Sequence, residues 1–89
     1  MDRIQKGMLA ESRAGHDCGR LYMIIDFDEK YVYLADGKLR CLDKLKKKKN
    51  SHVQIIKTVP EKISRALSEG SLNDEMIRKA LKESNDRFN

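Results

Sequence analysis

The sequence has no long hydrophobic run. Of its 89 residues 39% are hydrophobic and 37% are charged, and no apolar stretch approaches the roughly 18 residues that can cross a bilayer. The first six residues, MDRIQK, also lack the apolar segment of a signal peptide. These absences argue against a membrane-spanning protein and predict a cytoplasmic one. Because no amphipathic basic helix is evident, we expect no membrane partner either.

Cysteine is scarce, and the two cysteines are far apart in the chain. In a cytoplasmic protein, Cys18 and Cys41 are expected to be free thiols rather than a disulfide. Together with His16 and His52 they supply the ligand types of a zinc centre, but no Cys-x-x-Cys or His-x-x-x-His pair has ligand spacing. The sequence therefore predicts no metal site and no cofactor.

Sequence motifs of catalysis are also missing. The chain has no paired carboxylates, P-loop or dinucleotide-binding fingerprint. Ser12, His16 and Asp17 invite comparison with a hydrolase, but near neighbours on one tight loop cannot approach each other as base and orienting group must. A domain of this size also buries only about 60% of its unfolded surface, so a deep substrate cleft is hard to build. We therefore predict that the protein is not an enzyme and has no small-molecule substrate.

Positive charge is concentrated in one segment. The net charge is +5, and residues 38–57 hold eight basic side chains and one acidic side chain, while the flanking segments are close to neutral. A local basic patch is the electrostatic feature expected for a polyanion partner. Within it, Lys44–Asn50 is predicted to be a polar loop. A solvated loop with no partner is the alternative, but four adjacent lysines repel one another unless a polyanion neutralises them.

Alternating apolar residues predict β-structure up to residue 57. Leu21, Met23, Ile25 and Phe27 share one face of a predicted strand, and the Asp36-Gly37 pair predicts a hairpin turn. Five short strands are enough for a small closed barrel. The predicted strands are residues 3–12, 21–27, 31–35, 38–43 and 52–57. Tyr22, Asp26, Tyr31, Tyr33 and Arg40 are predicted to face outward, and in the first strand Ile4, Met8 and Ala10 lie opposite Leu9, with the buried face left open.

After residue 57 the pattern becomes helical. Pro60 suits the first turn of a helix, and Gly70 suits the position just after its end. Ser71 is predicted to begin a capping box for a second helix. The apolar stripes are Ile63, Ala66 and Leu67 in the first helix, and Leu72, Met76, Ala80 and Leu81 in the second. We therefore divide the chain into residues 1–57 and a helical tail, 58–89, which we expect to pack on its own chain.

The order of these motifs resembles a known family. Residues 12–20 (SRAGHDCGR), then Ala35-Asp36-Gly37-Lys38, then a lysine run ending at His52, are similar to KOW-domain RNA-binding proteins. The closest resemblance is to short bacterial homologues of the eukaryotic-type large-subunit ribosomal proteins, in particular the fourteenth of that set. It covers Lys6 to about Gln54 and implies a mainly β fold with an α tail: a small SH3-like, five-stranded β-barrel followed by two short C-terminal helices.

The resemblance implies that the protein binds RNA in the ribosome, with large-subunit ribosomal RNA as its partner and the 13–20 loop in contact with it. The alternative for this loop is a structural turn in which Asp17 bonds nearby backbone amides. The three tyrosines could stack on bases, but ordinary packing in the sheet is favoured for most of them. The predicted RNA-binding residues are Arg13, His16, Arg20, Lys38, Arg40, Lys44, Lys46, Lys47, Lys48, Lys49 and His52.

A second hypothesis comes from another class of function. SH3-like barrels also serve as protein-interaction modules, so ribosomal or transcription proteins are possible partners. RNA binding driven by phosphate contacts weakens steeply with salt, whereas a protein partner predicts a flatter dependence.

Overall fold

The computed structural model describes residues 4–88, and only the backbone of residues 87 and 88. It contains an antiparallel sheet of five strands followed by two helices. The strands are β1 (Leu9–Ser12), β2 (Leu21–Phe27), β3 (Tyr31–Ala35), β4 (Lys46–Lys49) and β5 (Val53–Ile56), with a 3₁₀ turn (Asn50–His52) before β5, and the helices are α1 (Glu61–Glu69) and α2 (Asp74–Phe88).

The sheet has the strand order β4-β3-β2-β1-β5. Its first four strands form an antiparallel meander, and β5 returns to pair with β1. This confirms a mainly β fold with C-terminal helices. The edge strands β4 and β5 do not pair in the part of the chain described, so closure into a barrel is not seen there.

Both faces of the central strands are buried. One face contributes Leu9, Met23 and Ala35 to a core that it shares with α1 and α2. The other face carries a second apolar cluster, consisting of Met8, Ala10, Tyr22, Ile24, Val32 and Leu34. No helix between residues 4 and 88 contributes to the second cluster, yet most of its side chains are fully buried. The sheet must therefore curl around that cluster.

This arrangement corrects the predicted outward position of Tyr22, which is only 2% exposed. Leu21, Met23 and Ile25 do face the helices, as the alternation predicted. A register shift between Ile24 and Asp26 then interrupts the pairing of β2 with β3. Such a bulge changes which side of the sheet the following residues face, and Phe27 is left 37% exposed rather than inward.

Two of the five predicted strands are wrong in position. The strand predicted over 38–43 is a compact loop, because the Asp36 carboxylate accepts hydrogen bonds from the backbone N–H groups of Lys38 and Arg40, both at 2.9 Å. Backbone groups satisfied in this way do not need a neighbouring strand. The fourth strand is instead β4, which was predicted to be a loop. The first strand starts only at Leu9; Arg3 lies outside the described residues.

The helices begin and end close to their predicted bounds. Pro60 occupies the N-cap of α1 rather than its first turn, and Gly70 ends that helix in the left-handed conformation (φ 69°). Asn73, not Ser71, caps α2, since its Oδ1 accepts from the Met76 N–H at 2.9 Å. No helix in the described residues is long and apolar enough to cross a membrane.

The helical tail packs on its own chain, as expected. Ile63 of α1 and Ile77, Ala80 and Leu81 of α2 join the core on the sheet. The 36–40 loop also contacts α2 closely at Gly37 (φ 79°), where a Cβ would overlap the backbone oxygen of Asp74 at the start of the helix. There Arg78 Nη1 donates to the Gly37 carbonyl at 2.5 Å. The 36–40 loop and α2 therefore have a fixed relative position.

Candidate nucleic-acid interface

A buried carboxylate, Asp17, connects the 13–20 loop to the sheet. It is 7% exposed and accepts hydrogen bonds from the hydroxyls of Ser12 and Tyr22, both at 2.8 Å. The ammonium of Lys46 lies 2.8 Å from Oδ2, and that of Lys48 lies 3.0 Å from Oδ1. The alternative in which Asp17 bonds nearby backbone amides is therefore wrong for its carboxylate, whose donors are side chains from β1, β2 and β4.

The four donors determine the charge state of Asp17. Burial alone would raise the pKa of this carboxyl, but the hydrogen bonds from Lys46, Ser12, Lys48 and Tyr22 outweigh burial and hold the pKa far below its usual range. Asp17 is thus ionised at neutral pH. We call Asp17 and its four partners, Ser12, Tyr22, Lys46 and Lys48, the Asp17 network. Its one carboxylate faces two ammonium groups, so the network has a net charge of about +1.

The lysine run is divided between the two faces of the sheet. Lys46 and Lys48 pair with Leu34 and Val32 of β3, on the face of the second apolar cluster, where their ammoniums reach Asp17. Lys48 also donates to the Ala14 carbonyl at 2.7 Å, and its side chain is only 11% exposed. These contacts explain why a run of lysines forms a strand: alternate side chains meet a buried anion.

Lys47 and Lys49 are on the other face of β4 and are exposed. They pair with Tyr33 and Tyr31 respectively. The Lys47 ammonium lies 4.2 Å from the centre of the Tyr31 ring, within the range of a cation–π contact. Tyr33 donates to Asp28 at 3.1 Å. Since both tyrosines are half-buried, this face presents basic and aromatic groups side by side.

A cleft of about 410 Å³ opens beside the Asp17 network. Its lining comes from the 13–20 loop, β2, the 36–40 loop and β4: His16, Asp17, Arg20, Tyr22, Asp36, Leu39, Arg40 and Lys46. Of the two acidic groups in the cleft, Asp17 is bonded to Lys46 and Lys48, and the Oδ1 of Asp36 accepts from its own turn. The cleft is therefore electropositive, and both of its carboxylates already have hydrogen-bonding partners within the protein.

The cleft brings together four of the predicted RNA-binding residues, namely His16, Arg20, Arg40 and Lys46. Arg13 and His52 lie elsewhere and are joined by a backbone hydrogen bond of 2.8 Å, with both side chains exposed. Lys38 lies in a neighbouring groove. Lys44, Lys47 and Lys49 are exposed outside both. The predicted residues thus form several basic surfaces rather than one.

The other groups that the sequence singled out do not form a reactive centre in the described part of the chain. Cys18 and Cys41 are free thiols, as predicted. Between residues 4 and 86 no three His, Cys, Asp or Glu side chains are arranged to hold a metal ion. Ser12 donates to Asp17 itself, and His16 is exposed with no hydrogen bond to either residue. The relay of a hydrolase is therefore not assembled.

Sequence reasoning missed Tyr22 and Ser12 as members of the site. Each lies on the same face of its strand as an apolar residue two positions away, Ile24 and Ala10 respectively. A polar group in such a position needs a buried partner. That signal, beside an aspartate in a glycine-bounded loop, could have indicated the network.

The fold and the cleft define a small domain with a five-stranded antiparallel sheet, two C-terminal helices and a basic cleft. No protein-family model matches the sequence, and no curated protein matches it. The resemblance to KOW domains therefore stays a prediction.

The Tyr22 hydroxyl gives a test of the network at high pH. Burial, together with the hydrogen bond to ionised Asp17, raises the pKa of Tyr22 to about 12, above the value of about 10 expected in the unfolded chain. The protonated hydroxyl thus contributes stability that is complete below pH 10 and is lost as the pH rises to 12. In chemical denaturation, the difference in unfolding free energy between the parent and Tyr22→Phe should change by on the order of 2 kcal/mol across this window. A constant difference across this window would contradict the hydrogen bond from Tyr22 to Asp17.

Proposed function

We propose that this protein binds RNA through the basic cleft, as an SH3-like KOW domain associated with the ribosome. The observation that carries the proposal is the meeting of His16 and Arg20, from the 13–20 loop, with Arg40, from the 36–40 loop, around an Asp17 network of net positive charge. Basic side chains held together in one cleft can contact several phosphates of a folded polyanion at once. A lysine loop in solvent offers no such fixed arrangement. A guanidinium group can bind a phosphate through two parallel N–H donors.

The Asp17 network supports this function indirectly. It ties the 13–20 loop to β4 through Lys48, which bonds both Asp17 and the Ala14 carbonyl. A loop held in this way presents Arg20 and His16 with little conformational entropy left to lose on binding. Because its ammonium is committed to the fold, Lys48 is not proposed as a phosphate contact, and Lys46 contributes mainly through the charge of the network.

The proposed SH3-like fold rests on the strand order. The first four strands form a meander, and β5 then returns beside β1 after a 3₁₀ turn (Asn50–His52). This is the connectivity expected for such a barrel. In this proposal, phosphate contacts supply affinity and orientation, and RNA shape supplies specificity. Large-subunit ribosomal RNA is the proposed partner because of the resemblance described above.

The test is the salt dependence of binding to a large-subunit RNA hairpin. Each phosphate neutralised on a duplex contributes about 0.9 to the slope of log affinity against log salt. Arg20→Ala/Arg40→Ala should therefore weaken binding at low salt and flatten this slope by up to about 1.8. Both side chains are exposed, so the melting temperature should change little.

The matched control is Lys62→Ala/Arg65→Ala, which removes two exposed positive charges from α1, away from the cleft. Arg65 pairs with Glu61 at 3.8 Å, largely in solvent, so the loss should be small. Equal slopes for the parent and the cleft variant would contradict the proposal.

Leu39 favours the second candidate function, a protein-interaction module of the transcription or translation machinery. It is 71% exposed at the rim of the cleft. A protein partner could bury this side chain in the core of an interface, where apolar groups are enriched. A parent protein whose RNA binding is weak and nearly independent of salt would favour this candidate over the first.

A further inference from the structure

A second groove continues from the cleft towards α2. The two share Arg20, Asp36 and Leu39, so they form one continuous depression. The groove has a volume of about 680 Å³ and lies between the 36–40 loop and the exposed face of α2. From α2 its lining includes Arg78, Lys79, Leu81, Lys82, Asn85 and Asp86.

The groove is basic, with five cationic side chains against two carboxylates. Arg78 is engaged with the Gly37 carbonyl, and Asp36 with its own turn. The remaining cations, Arg20, Lys38, Lys79 and Lys82, have no ion-pair partner among residues 4–86. Lys79 and Lys82 are three positions apart, so they lie on the same face of α2.

The groove also presents an apolar group on a fixed support. Leu39 is exposed, yet the loop that carries it is ordered by the hydrogen bonds of Asp36 and by the close approach of Gly37 to α2. An exposed apolar residue on a rigid loop loses little entropy when a partner covers it. It can pack against the flat face of an unpaired base.

We propose that this groove binds a single-stranded segment of the RNA whose structured part occupies the cleft; this inference rests on the proposed function. Phosphates would follow Arg20, Lys79 and Lys82, and one base would pack on Leu39. A volume of about 680 Å³ lies within the range of about 300–1,000 Å³ that holds a compact ligand. It can therefore hold one or two nucleotides. Continuity with the cleft through Arg20 favours RNA over an acidic protein segment.

The experiment compares a blunt large-subunit RNA hairpin with the same hairpin extended by four uridines at its 3′ or its 5′ end. The parent should bind one extended hairpin at least about fivefold more tightly than the blunt hairpin, because the extension adds phosphate contacts and one base contact. Lys79→Ala/Lys82→Ala should lose most of this gain and bind the blunt hairpin as the parent does. Leu39→Ala should also lose most of the gain, which is measured as the ratio of its affinities for the extended and the blunt hairpin. Lys62→Ala/Arg65→Ala, with the same change in charge, should keep the gain.

The blunt hairpin separates the two proposals. If the parent binds blunt and extended hairpins equally, or if Lys79→Ala/Lys82→Ala keeps the gain, the groove proposal is overturned while RNA binding at the cleft stands. If the parent binds neither RNA in a salt-dependent way, the proposed function itself fails. If the α1 control loses the gain as well, the effect comes from total charge, and the groove proposal is again overturned.

Discussion

Replacing Asp17 by asparagine is expected to lower the free energy of unfolding by about 3–5 kcal/mol. The change is nearly isosteric, but it leaves the ammoniums of Lys46 and Lys48 beside a neutral group. Lys46 can turn partly towards solvent, whereas the Lys48 side chain is only 11% exposed and remains held by Ala14. Because small domains are stable by only about 5–15 kcal/mol, urea denaturation should show a much lower midpoint.

Asp26→Asn is the matched control for this prediction. Asp26 is also a carboxylate near a lysine, but its side chain is 59% exposed and lies 3.9 Å from Lys6, so the cost should be below about 1 kcal/mol. A second check is Asp17→Asn/Lys48→Met, which removes the uncompensated charge and should recover part of the loss. Equal effects of the two asparagine variants would contradict the burial of the Asp17 network.

The same variant has a definite pH dependence. Because the folded pKa of Asp17 is depressed, its contribution to stability is complete above the unfolded value of about 3.9 and is lost as the pH falls below it. The difference between parent and Asp17→Asn should therefore shrink in acid below about pH 4. A difference that grows in acid would have the wrong sign for a buried ionised carboxylate.

Ile24→Ala is expected to cost about 2–5 kcal/mol. Ile24 is fully buried in the second apolar cluster, where it packs with residues of β1 and β3. The backbone hydrogen bonds that it makes with Gly7 and Met8 do not involve the side chain. The loss therefore reports the cavity, and thermal melting of the parent and variant measures it.

The neighbouring Ile25→Ala is the control. The alternating pattern made Ile25 the buried residue of β2, but the bulge leaves it half-buried at the edge of the core that faces the helices. Its truncation should cost less than half as much, in proportion to the smaller apolar area. If Ile25→Ala lowered the stability more than Ile24→Ala, the second apolar cluster would not be the more closely packed of the two cores.

Local sequence patterns predicted several of the strands and both helices. The strands over 21–27 and 31–35 and the two helices follow from alternation and from i, i+3, i+4 spacing, with Gly70 ending α1. These signals depend on near neighbours in the chain, so a single sequence contains them. The helix cap at Asn73 was missed because Ser71 offered a competing cap two residues earlier.

The candidate site was predicted only in part for a related reason. Arg20, Arg40 and His16 could be selected by charge and by their motifs, but not placed in one cleft, since that depends on how the 36–40 loop folds beside the 13–20 loop. The groove on α2 could not be predicted, because the three cations that α2 contributes to it lie in residues 58–89, a segment of zero net charge. The net charge of a segment does not show whether its basic side chains lie together on one surface.

By itself, the sequence determined a basic, mainly β chain with a helical tail and with its excess charge in residues 38–57. Only the tertiary structure decided that the lysine run, Lys46–Lys49, forms a strand. Four lysines have little preference for a strand on their own, but β3 supplies hydrogen-bonding partners, and Asp17 supplies an anion 31 residues from Lys48. The free energy of that buried ion pair comes from residues far apart in the chain, and so local pattern could not reveal it.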